Sequence, residues 1–253
     1  VKALPLKEES FFSYLPLCHI AERLLVMMGS LYTGGKVSFA ESLDTFAANL
    51  SEASPSVFLG VPRIWTKFQQ GILGKLPQKK LNVLLSIPII STLIKKKIQK
   101  GLGLSKAKNI FTGAAPTPAS TIKWFEKLSN SPVIDHWWQT ETSWAITSDC
   151  TGIESFPVKY GSAFKPVPGY DLKVLNTEGK EVGPGKMGDI VVKLPLPPGT
   201  FPTLWGADKR YKENYMSTYP GYYLTYDAGH IDEDGYVWIM SRTDDIINVA
   251  GHR

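Results

Sequence analysis

The fold class follows from residues 109–135, which read NIFTGAAPTPASTIKWFEKLSNSPVID. Two short apolar runs, Asn109–Thr112 and Val133–Ile134, end at a glycine and an aspartate, which is typical of buried strands. The segment between them has the spacing of a helix at Ile122, Phe125, Glu126 and Leu128. Strand, helix and strand in this order predict a mainly parallel sheet that is covered by helices.

The alternation of strands and helices extends upstream but stops in the second half of the chain. Val57–Val61 is another apolar run of strand length, and a proline ends it. From Thr151 onward, glycine and proline become dense, and predicted strands such as Gly188–Leu194 are separated by turns. We therefore expect an α/β protein with a layered, mainly parallel sheet over residues 1–155 and a small β-rich, barrel-like subdomain over residues 156–253.

The composition excludes several classes of chain. Of the 253 residues, 43% are hydrophobic and 20% are charged, which rules out a disordered tail, a collagen-like fibre and a disulfide-stapled miniprotein. Cys18 and Cys150 are the only cysteines, so we expect neither a disulfide framework nor a cysteine-rich zinc site, and a reducing compartment fits. No secretory leader is expected. The longest apolar stretch, Leu81–Ile94, is too short and too polar to span a bilayer.

Positive charge is concentrated in one part of the chain. Lys and Arg total 28 against 23 Asp and Glu, yet from Ala53 to Phe125 there are twelve basic residues and no acidic one. Such a segment is either a solvated lysine face or a surface for phosphates of a nucleotide, a nucleic acid or a lipid. A run of lysines after the apolar stretch could make a peripheral contact with an anionic membrane: Lys95, Lys96, Lys97 and Lys100.

The segment after the second strand combines groups that can hold phosphate. Residues 135–142 read DHWWQTET, and ligands bind beyond the carboxyl ends of strands in open α/β sheets. The Thr140 hydroxyl can donate to a phosphate oxygen, and the Glu141 carboxylate can hold Mg²⁺. The indoles of Trp137 and Trp138 can wall a pocket. The alternative is that this is a tryptophan-rich loop of the core.

Further segments offer complementary chemistry. Small residues at Gly113–Pro116 let a flat ring approach the backbone, although a tight turn explains them about as well. Asp227 follows a strand-like run and is suited to two ribose hydroxyls. Arg242 and Arg253 could each neutralise phosphate charge or form surface ion pairs.

In chain order, these segments resemble the acyl-adenylate-forming superfamily of acyl-CoA synthetases, luciferases and adenylation domains. Three strings look like the acetyl- and propionyl-CoA synthetase branch: WWQTET at 137–142, VVKLPLPPG at 191–199 and the run from Asp244 to Arg253. Three earlier strings look like the long-chain acyl-CoA synthetase branch: YLPLCHIAER at 14–23, VPRIW at 61–65 and GAAP at 113–116. Together the resemblances cover nearly the whole chain.

The resemblance implies which residues contact the nucleotide. The cofactor-binding set matches Ala114, Ala115, Pro116, Asp135, His136, Trp137, Trp138, Gln139, Thr140, Asp227, Arg242 and Arg253. Within this set, Thr140 and Arg253 face the phosphate, and Asp227 binds the ribose. Glu141 is the implied Mg²⁺ ligand and forms the catalytic group together with Thr140 and Arg253.

The resemblance also implies an acyl side, a CoA side and a hinge. His19 and Trp138 match residues of the acyl pocket, which the Trp138 indole closes in enzymes of short acids. Ala250 and Gly251 match positions beside the CoA tunnel, and they are the last two residues of the implied cofactor-binding set. Asp244 matches the hinge about which a C-terminal domain rotates.

The implied activity is ATP-dependent activation of a small carboxylic acid to acyl-AMP and transfer of the acyl group to CoA. The implied cofactors are ATP or AMP, Mg²⁺ and CoA, and nucleic acid is not an expected partner. We expect a cytoplasmic location, with the mitochondrial matrix and a peripheral membrane site left open. Two alternatives also stay open: an adenylation or luciferase-like enzyme with another acceptor, and a non-catalytic basic module that binds nucleic acid or membrane.

The chain departs from the family pattern in two ways. The phosphate loop of the family should precede Tyr14 and its catalytic lysine should follow Arg253, so we expect an internal fragment of the large N-terminal domain that is inactive alone. The signals for acid length also disagree, because Trp138 predicts a short acid and the first half predicts a long one. We favour the short acid, since an indole in the acyl tunnel blocks longer chains sterically.

Overall fold

The computed structural model of the chain describes residues 8–113, 115, 117–129 and 131–244. The chain divides into two compact units, which are Val1–Asp135 with Thr151–Ser155, and His136–Cys150 with Phe156–Arg253. The predicted boundary lies at residue 155, and the two divisions differ in residues 136–150, which pack with the second unit. The functional roles assigned to the two ranges stay predictions.

The first unit contains a parallel sheet of five strands. They are β1 (Ser10–Ser13), β2 (Lys36–Phe39), β3 (Val57–Gly60), β4 (Asn109–Thr112) and β5 (Val133–Asp135). Their spatial order is β2-β1-β3-β4-β5, and all neighbouring pairs are parallel. All four residues of β3 are buried, as expected for a central strand of a parallel sheet. The predicted α/β class is confirmed.

Helices connect these strands. In chain order they are a π-helical segment (Glu22–Met28), α1 (Gly29–Thr33), α2 (Phe46–Ala53), α3 (Pro62–Lys75), α4 (Gln78–Ser86), α5 (Pro88–Gly101) and α6 (Ala119–Ser129). Both α3 and α5 begin at proline, whose fixed φ and missing N–H suit the first turn of a helix. In the part of the chain that the structure describes, no helix is both long enough and apolar enough to cross a bilayer.

Aromatic rings around Trp65 form much of the core of the first unit. The indole meets Phe58, Phe68 and Phe125 edge-on, at centroid separations of 5.7, 6.0 and 5.0 Å. Its nitrogen donates to the carbonyl oxygen of Gly60 at 2.8 Å. A Cβ at position 60 would lie 2.5 Å from this ring, so glycine is required where the end of β3 passes the indole.

The second unit is β-rich, as predicted, and its strands form two antiparallel sheets. The smaller sheet contains β6 (Trp137–Trp138), β7 (Ala145–Ser148) and β8 (Lys165–Pro166). The larger sheet contains β9 (Leu172–Leu175), β10 (Gly188–Lys193), β11 (Tyr222–Ile231) and β12 (Val237–Arg242), in the spatial order β12-β11-β10-β9. One helix, α7 (Asp208–Tyr215), lies between β10 and β11 in the chain.

A bulge in β11 interrupts the regular pairing of the larger sheet. Two consecutive residues of β10 pair with Asp227 and Leu224 of β11, so Thr225 and Tyr226 are extra residues on that strand. Tyr226 has a φ of 60°, which is uncommon for a residue with a side chain. Bulges redirect the side chains that follow them, and this one directly precedes Asp227.

Candidate functional site

Asp227 lies in a buried hydrogen-bond network within the second unit. The residue is 5% exposed, and its Oδ2 accepts hydrogen bonds from Nε1 of Trp137 at 3.1 Å and from Nε2 of Gln139 at 2.7 Å. The same Gln139 nitrogen donates to the backbone oxygen of Thr225 at 2.6 Å. The tryptophan-rich loop and the implied ribose-binding aspartate, which are far apart in the sequence, are therefore directly connected.

Trp137 has an apolar and a polar role. Its ring belongs to the hydrophobic core of the second unit, together with Ile146, Ile190 and Tyr223. Its N–H, the one polar group of the side chain, donates to Asp227. The core interpretation of the loop therefore holds for this ring, while its N–H restrains a candidate site residue.

The ionisation of Asp227 reflects opposing effects. Burial raises the pKa of this carboxyl above its ordinary value. The positive charge of Arg242 and the hydrogen bonds from Trp137 and Gln139 act against burial, because they stabilise the carboxylate. These groups therefore favour the form of Asp227 that accepts hydrogen bonds from hydroxyl groups.

Glu141 is oriented by helix α7. The hydroxyl of Tyr215, the last residue of α7, donates to Oε1 of Glu141 at 2.9 Å. Burial and then the adjacent carboxylate raise the pKa of Tyr215 to about 12, so its hydroxyl remains a donor at neutral pH. The backbone oxygen of Glu141 accepts a hydrogen bond from the N–H of Phe201 at 2.8 Å. Both the side chain and the backbone of Glu141 are therefore restrained.

Two stacked tyrosines connect Glu141 with Asp227. The rings of Tyr215 and Tyr223 are 5.6 Å apart and 12° from parallel. The Tyr223 hydroxyl donates to Oε1 of Gln139 at 2.8 Å, and Gln139 donates in turn to Asp227. Because its amide oxygen accepts and its amide nitrogen donates, Gln139 has one favoured orientation in this network.

Several side chains of this network line a cavity of about 310 Å³ in the second unit. Its walls include Gln139, Glu141, Tyr215, Tyr223, Arg242 and Asp244. Pockets for small organic ligands start at about 300 Å³, so the cavity has the size of a small-molecule site. Its carboxylates, hydroxyls and guanidinium are suited to a polar ligand that carries both hydroxyl groups and negative charge.

Arg242 and Asp244 form a bidentate ion pair at this cavity. Nε of the arginine lies 2.8 Å from Oδ1 of the aspartate, and Nη2 lies 2.6 Å from Oδ2. This hydrogen bonding lowers the pKa of Asp244. The implied ribose- and phosphate-side arginine and the implied hinge residue therefore restrain each other, while the arginine side chain stays 42% exposed.

The other implied residues of the loop have different environments. Thr140 is exposed, whereas Trp138 is buried and meets the rings of His136 and Trp144 edge-on. Burial lowers the pKa of His136 to about 4, so this imidazole is neutral at pH 7. The implied phosphate hydroxyl is therefore accessible, and the implied acyl-side indole is held by its neighbours.

The remaining implied residues lie in the first unit or outside the described residues. Within the first unit, Asp135 ends β5 and pairs in register with Thr112, which ends β4, so Asp135 and Gly113 lie at the carboxyl ends of neighbouring strands. Nδ1 of His19 accepts a hydrogen bond from the N–H of Ala21 at 3.1 Å. The residues outside the described ranges, whose implied contacts stay predictions, are Ala114, Pro116, Ala250, Gly251 and Arg253.

The sequence did not predict that residues of α7 and of β11 line the cavity. They are Asn214, Tyr215, Tyr223, Thr225 and Tyr226. The sequence does carry a signal for some of them, because three tyrosines precede Asp227 within five positions. Which of these hydroxyls faces the loop depends on the bulge, which the alternation of residues along a regular strand does not predict.

The carboxylate oxygens at the cavity could serve as ligands of a magnesium ion that takes most of its other ligands from phosphates and water. Proteins commonly hold Mg²⁺ through one or two carboxylates together with substrate phosphates. Glu141, oriented by Tyr215, is a carboxylate of this kind. Among the described residues there is no group of three metal-ligating side chains that could hold a metal without such help.

Known proteins are similar to this chain over most of its length. The AMP-binding enzyme family matches residues 2–205. The chain is 46% identical over 155 residues to acyl-CoA synthetase short-chain family member 3, mitochondrial, of Bos taurus, a match that covers 61% of the chain and 23% of that protein. It is 40% identical over 152 residues to the propionate–CoA ligase of Escherichia coli, covering 59% of the chain and 24% of that enzyme.

A solved structure agrees on the fold. The crystal structure of an anthranilate CoA ligase in complex with anthranoyl-AMP superposes with a TM-score of 0.72 at 21% identity, over 98% of this chain and 42% of that one. The chain spans about a quarter of the length of the curated relatives it matches. Since the family match covers most of its residues, the chain belongs to the AMP-binding enzyme family.

Proposed function

We propose that the chain is part of an AMP-forming acyl-CoA synthetase that activates a short carboxylic acid with ATP and transfers the acyl group to CoA. The observation that carries the proposal is the arrangement of Gln139, Asp227 and Glu141 around one network and cavity of the second unit. These are side chains that the family resemblance assigns to the nucleotide and its metal ion.

Residues that line the cavity and residues beside it would hold different parts of the nucleotide. The Asp227 carboxylate accepts hydrogen bonds from the ribose hydroxyls, while Trp137 and Gln139 hold it in place. Thr140 donates its hydroxyl to a phosphate oxygen, and Arg242 offsets phosphate charge. Glu141 would hold Mg²⁺, which when bound neutralises the negative charge spread over the phosphate oxygens.

The proposed reaction consists of two substitutions. A carboxylate oxygen of the acid forms a bond to the α-phosphorus of ATP, the bond from that phosphorus to the bridging oxygen breaks, and pyrophosphate leaves. The sulfur of CoA, after its thiol has lost its proton, then bonds to the acyl carbon, and AMP leaves with the acyl oxygen it shared. Contacts with the ribose and phosphate supply binding energy that orients the acid for the first step.

The short acid is proposed from Trp138. Its indole is buried and held edge-on by His136 and Trp144, so it is a rigid group at the position that the resemblance assigns to the acyl pocket. The names of the two relatives, a short-chain family member and a propionate–CoA ligase, support an acid of the same size.

Binding of non-hydrolysable acyl-adenylate mimics tests the proposal. Titration calorimetry of the 253-residue chain with mimics from two-carbon to long acyl chains should show the tightest binding for the short ones. Asp227→Asn should weaken the binding of every mimic about tenfold, because hydrogen bonds to a charged acceptor are lost. The control Asp171→Asn, at an exposed carboxylate of the same unit, should leave affinity unchanged. Absence of binding, or equal losses in the two variants, would contradict the proposal.

A further inference from the structure

Helices α4 and α5 of the first unit form a hairpin with an apolar tip. The two helices are joined at Ile87, and the chain turns back there, because Gln78 at the start of α4 and Gln99 near the end of α5 both hydrogen-bond to helix α6. Four large apolar side chains at or near this connection are exposed, and we call them the tip residues: Val83 (62% exposed), Ile87 (43%), Ile89 (78%) and Leu93 (63%). Side chains of this type are mostly buried, so these four together form an exposed apolar patch.

Exposed lysines lie behind the tip residues on both helices. On α5, Lys96, Lys97 and Lys100 follow Leu93 by three to seven positions, which corresponds to about 5–10 Å along a helix. On α4, Lys79 precedes Val83 by one helical turn, and Lys80 is adjacent to Lys79. The five lysines are therefore set back from the apolar tip on each arm of the hairpin, and we call them the lysine collar.

The charge of the collar is not balanced by acidic residues nearby in the sequence. Residues 53–125, which include the whole hairpin, contain no aspartate or glutamate. A protein partner that recognised the hairpin would have to supply all of the negative charge and also a socket for four aliphatic side chains. An anionic bilayer supplies both, since its phosphates lie above its acyl chains.

We propose that this hairpin docks the chain on an anionic membrane surface. The tip residues enter the boundary between headgroups and acyl chains, and the lysine collar lies at the level of the lipid phosphates. Interfacial elements bury their apolar face about 5–10 Å deep, which matches the separation of Leu93 from the collar lysines of α5. The inference rests on the first unit and does not depend on the proposed enzymatic function.

Nucleic acid fits the hairpin less well than a membrane does. Phosphates of DNA or RNA would satisfy the collar but leave the tip residues in water. The hairpin, residues 78–101, also contains no aromatic side chain on which a base could stack.

Flotation with lipid vesicles tests whether the collar lysines contribute to membrane binding. The chain should float with vesicles of phosphatidylcholine mixed with phosphatidylserine, bind vesicles of phosphatidylcholine alone far more weakly, and lose affinity as salt rises. Replacing Lys96, Lys97 and Lys100 by glutamine should weaken binding about 100-fold, at about fivefold per lysine. A control with the same loss of charge in the second unit, which should keep its affinity, replaces the exposed Lys180, Lys186 and Lys193.

A second pair of variants tests insertion of the tip. Ile89→Ser with Leu93→Ser should weaken vesicle binding about tenfold or more, because less apolar surface leaves water. The control Leu31→Ser with Leu43→Ser changes two exposed leucines elsewhere in the first unit and should bind like the parent chain. Circular dichroism and thermal melts confirm that each variant is folded.

Four outcomes would overturn the proposal. They are no binding to anionic vesicles, equal losses in the collar variant and its control, full binding by the tip variant, and tighter binding to duplex DNA than to vesicles. Full binding by the tip variant would mean that lysines alone contact phosphate. Tighter binding to DNA would assign the surface to nucleic acid.

Discussion

The hydroxyl of Tyr215 donates a hydrogen bond to Oε1 of Glu141 at 2.9 Å, across 74 positions of sequence. The tyrosine ends helix α7, and the glutamate lies in the loop after β6. Helix α7 therefore orients a candidate metal-binding carboxylate. The sequence alone did not predict that this helix is part of the site.

Tyr215→Phe should reduce the effect of Mg²⁺ on nucleotide binding. Phenylalanine keeps the ring stacked on Tyr223 but removes the donor that orients Glu141, and loss of such a partner typically lowers metal affinity about tenfold. The measurement is the affinity of an ATP analogue at increasing Mg²⁺. Tyr219→Phe is the matched control, because the Tyr219 hydroxyl donates to Asp189 and neither residue lines the cavity. The same Mg²⁺ dependence in Tyr215→Phe and the parent chain would remove the orienting role.

Gln139→Leu should destabilise the second unit. The change removes the acceptor of the Tyr223 hydroxyl and a donor to Asp227, and it leaves both buried groups short of a partner. Unpaired buried polar groups cost about 1–3 kcal/mol each, so we expect a loss of about 2–6 kcal/mol in the free energy of unfolding. Urea denaturation measures it, and Gln70→Leu, an exposed glutamine of α3, should change stability by less than about 0.5 kcal/mol. Equal effects of the two substitutions would show that the network contributes little.

His136 should make folding sensitive to mild acid. Burial lowers its pKa to about 4 from the ordinary value of 6.5, so between these values the unfolded chain binds a proton that the folded chain does not. The stability from neutral His136 is fully present above pH 6.5 and is lost as pH falls toward 4, with a slope of at most about 1.4 kcal/mol per pH unit.

His136→Asn should remove this contribution to the slope. Urea unfolding of the parent chain and the variant at about pH 7, 5.5 and 4.5 gives the two pH profiles. The slopes between about pH 6.5 and 4 should differ, with the steeper one in the parent chain. Identical profiles would mean that His136 does not become protonated on unfolding in this range.

Trp138→Gly should shift the preferred acyl length of adenylate mimics toward longer chains. Removing the indole opens the position that the resemblance assigns to the end of the acyl pocket, and each added methylene in an apolar pocket changes affinity about tenfold or more. The ratio of affinities for long and short mimics measures the shift. Trp205→Gly removes an indole that is fully exposed and should leave the ratio unchanged. An unaltered preference for acyl length in Trp138→Gly would contradict the assignment of Trp138 to the acyl pocket.

The elements with strong local patterns could be predicted. The strands at Val57–Gly60, Asn109–Thr112 and Val133–Asp135 are apolar runs ended by proline, glycine or polar residues, and burial in a parallel sheet selects that pattern directly. The chemistry of the loop after β6 could also be predicted, because an amide, a hydroxyl and a carboxylate follow one another there. The roles of Tyr215 and Tyr223 could not, since a tyrosine has the same sequence signature whether it fills a core or supports a site.

The amino-acid sequence alone determined the alternation of strands and helices, the family and the types of side chain available for a nucleotide. These are local properties, set by hydrophobic periodicity and by the functional groups themselves. Only the tertiary structure decided that Gln139 reaches both Tyr223 and Asp227, and that two extra residues in β11 precede that aspartate. Hydrogen bonds form only within about 3 Å, and such distances between residues more than eighty positions apart depend on sheet register and on the bulge.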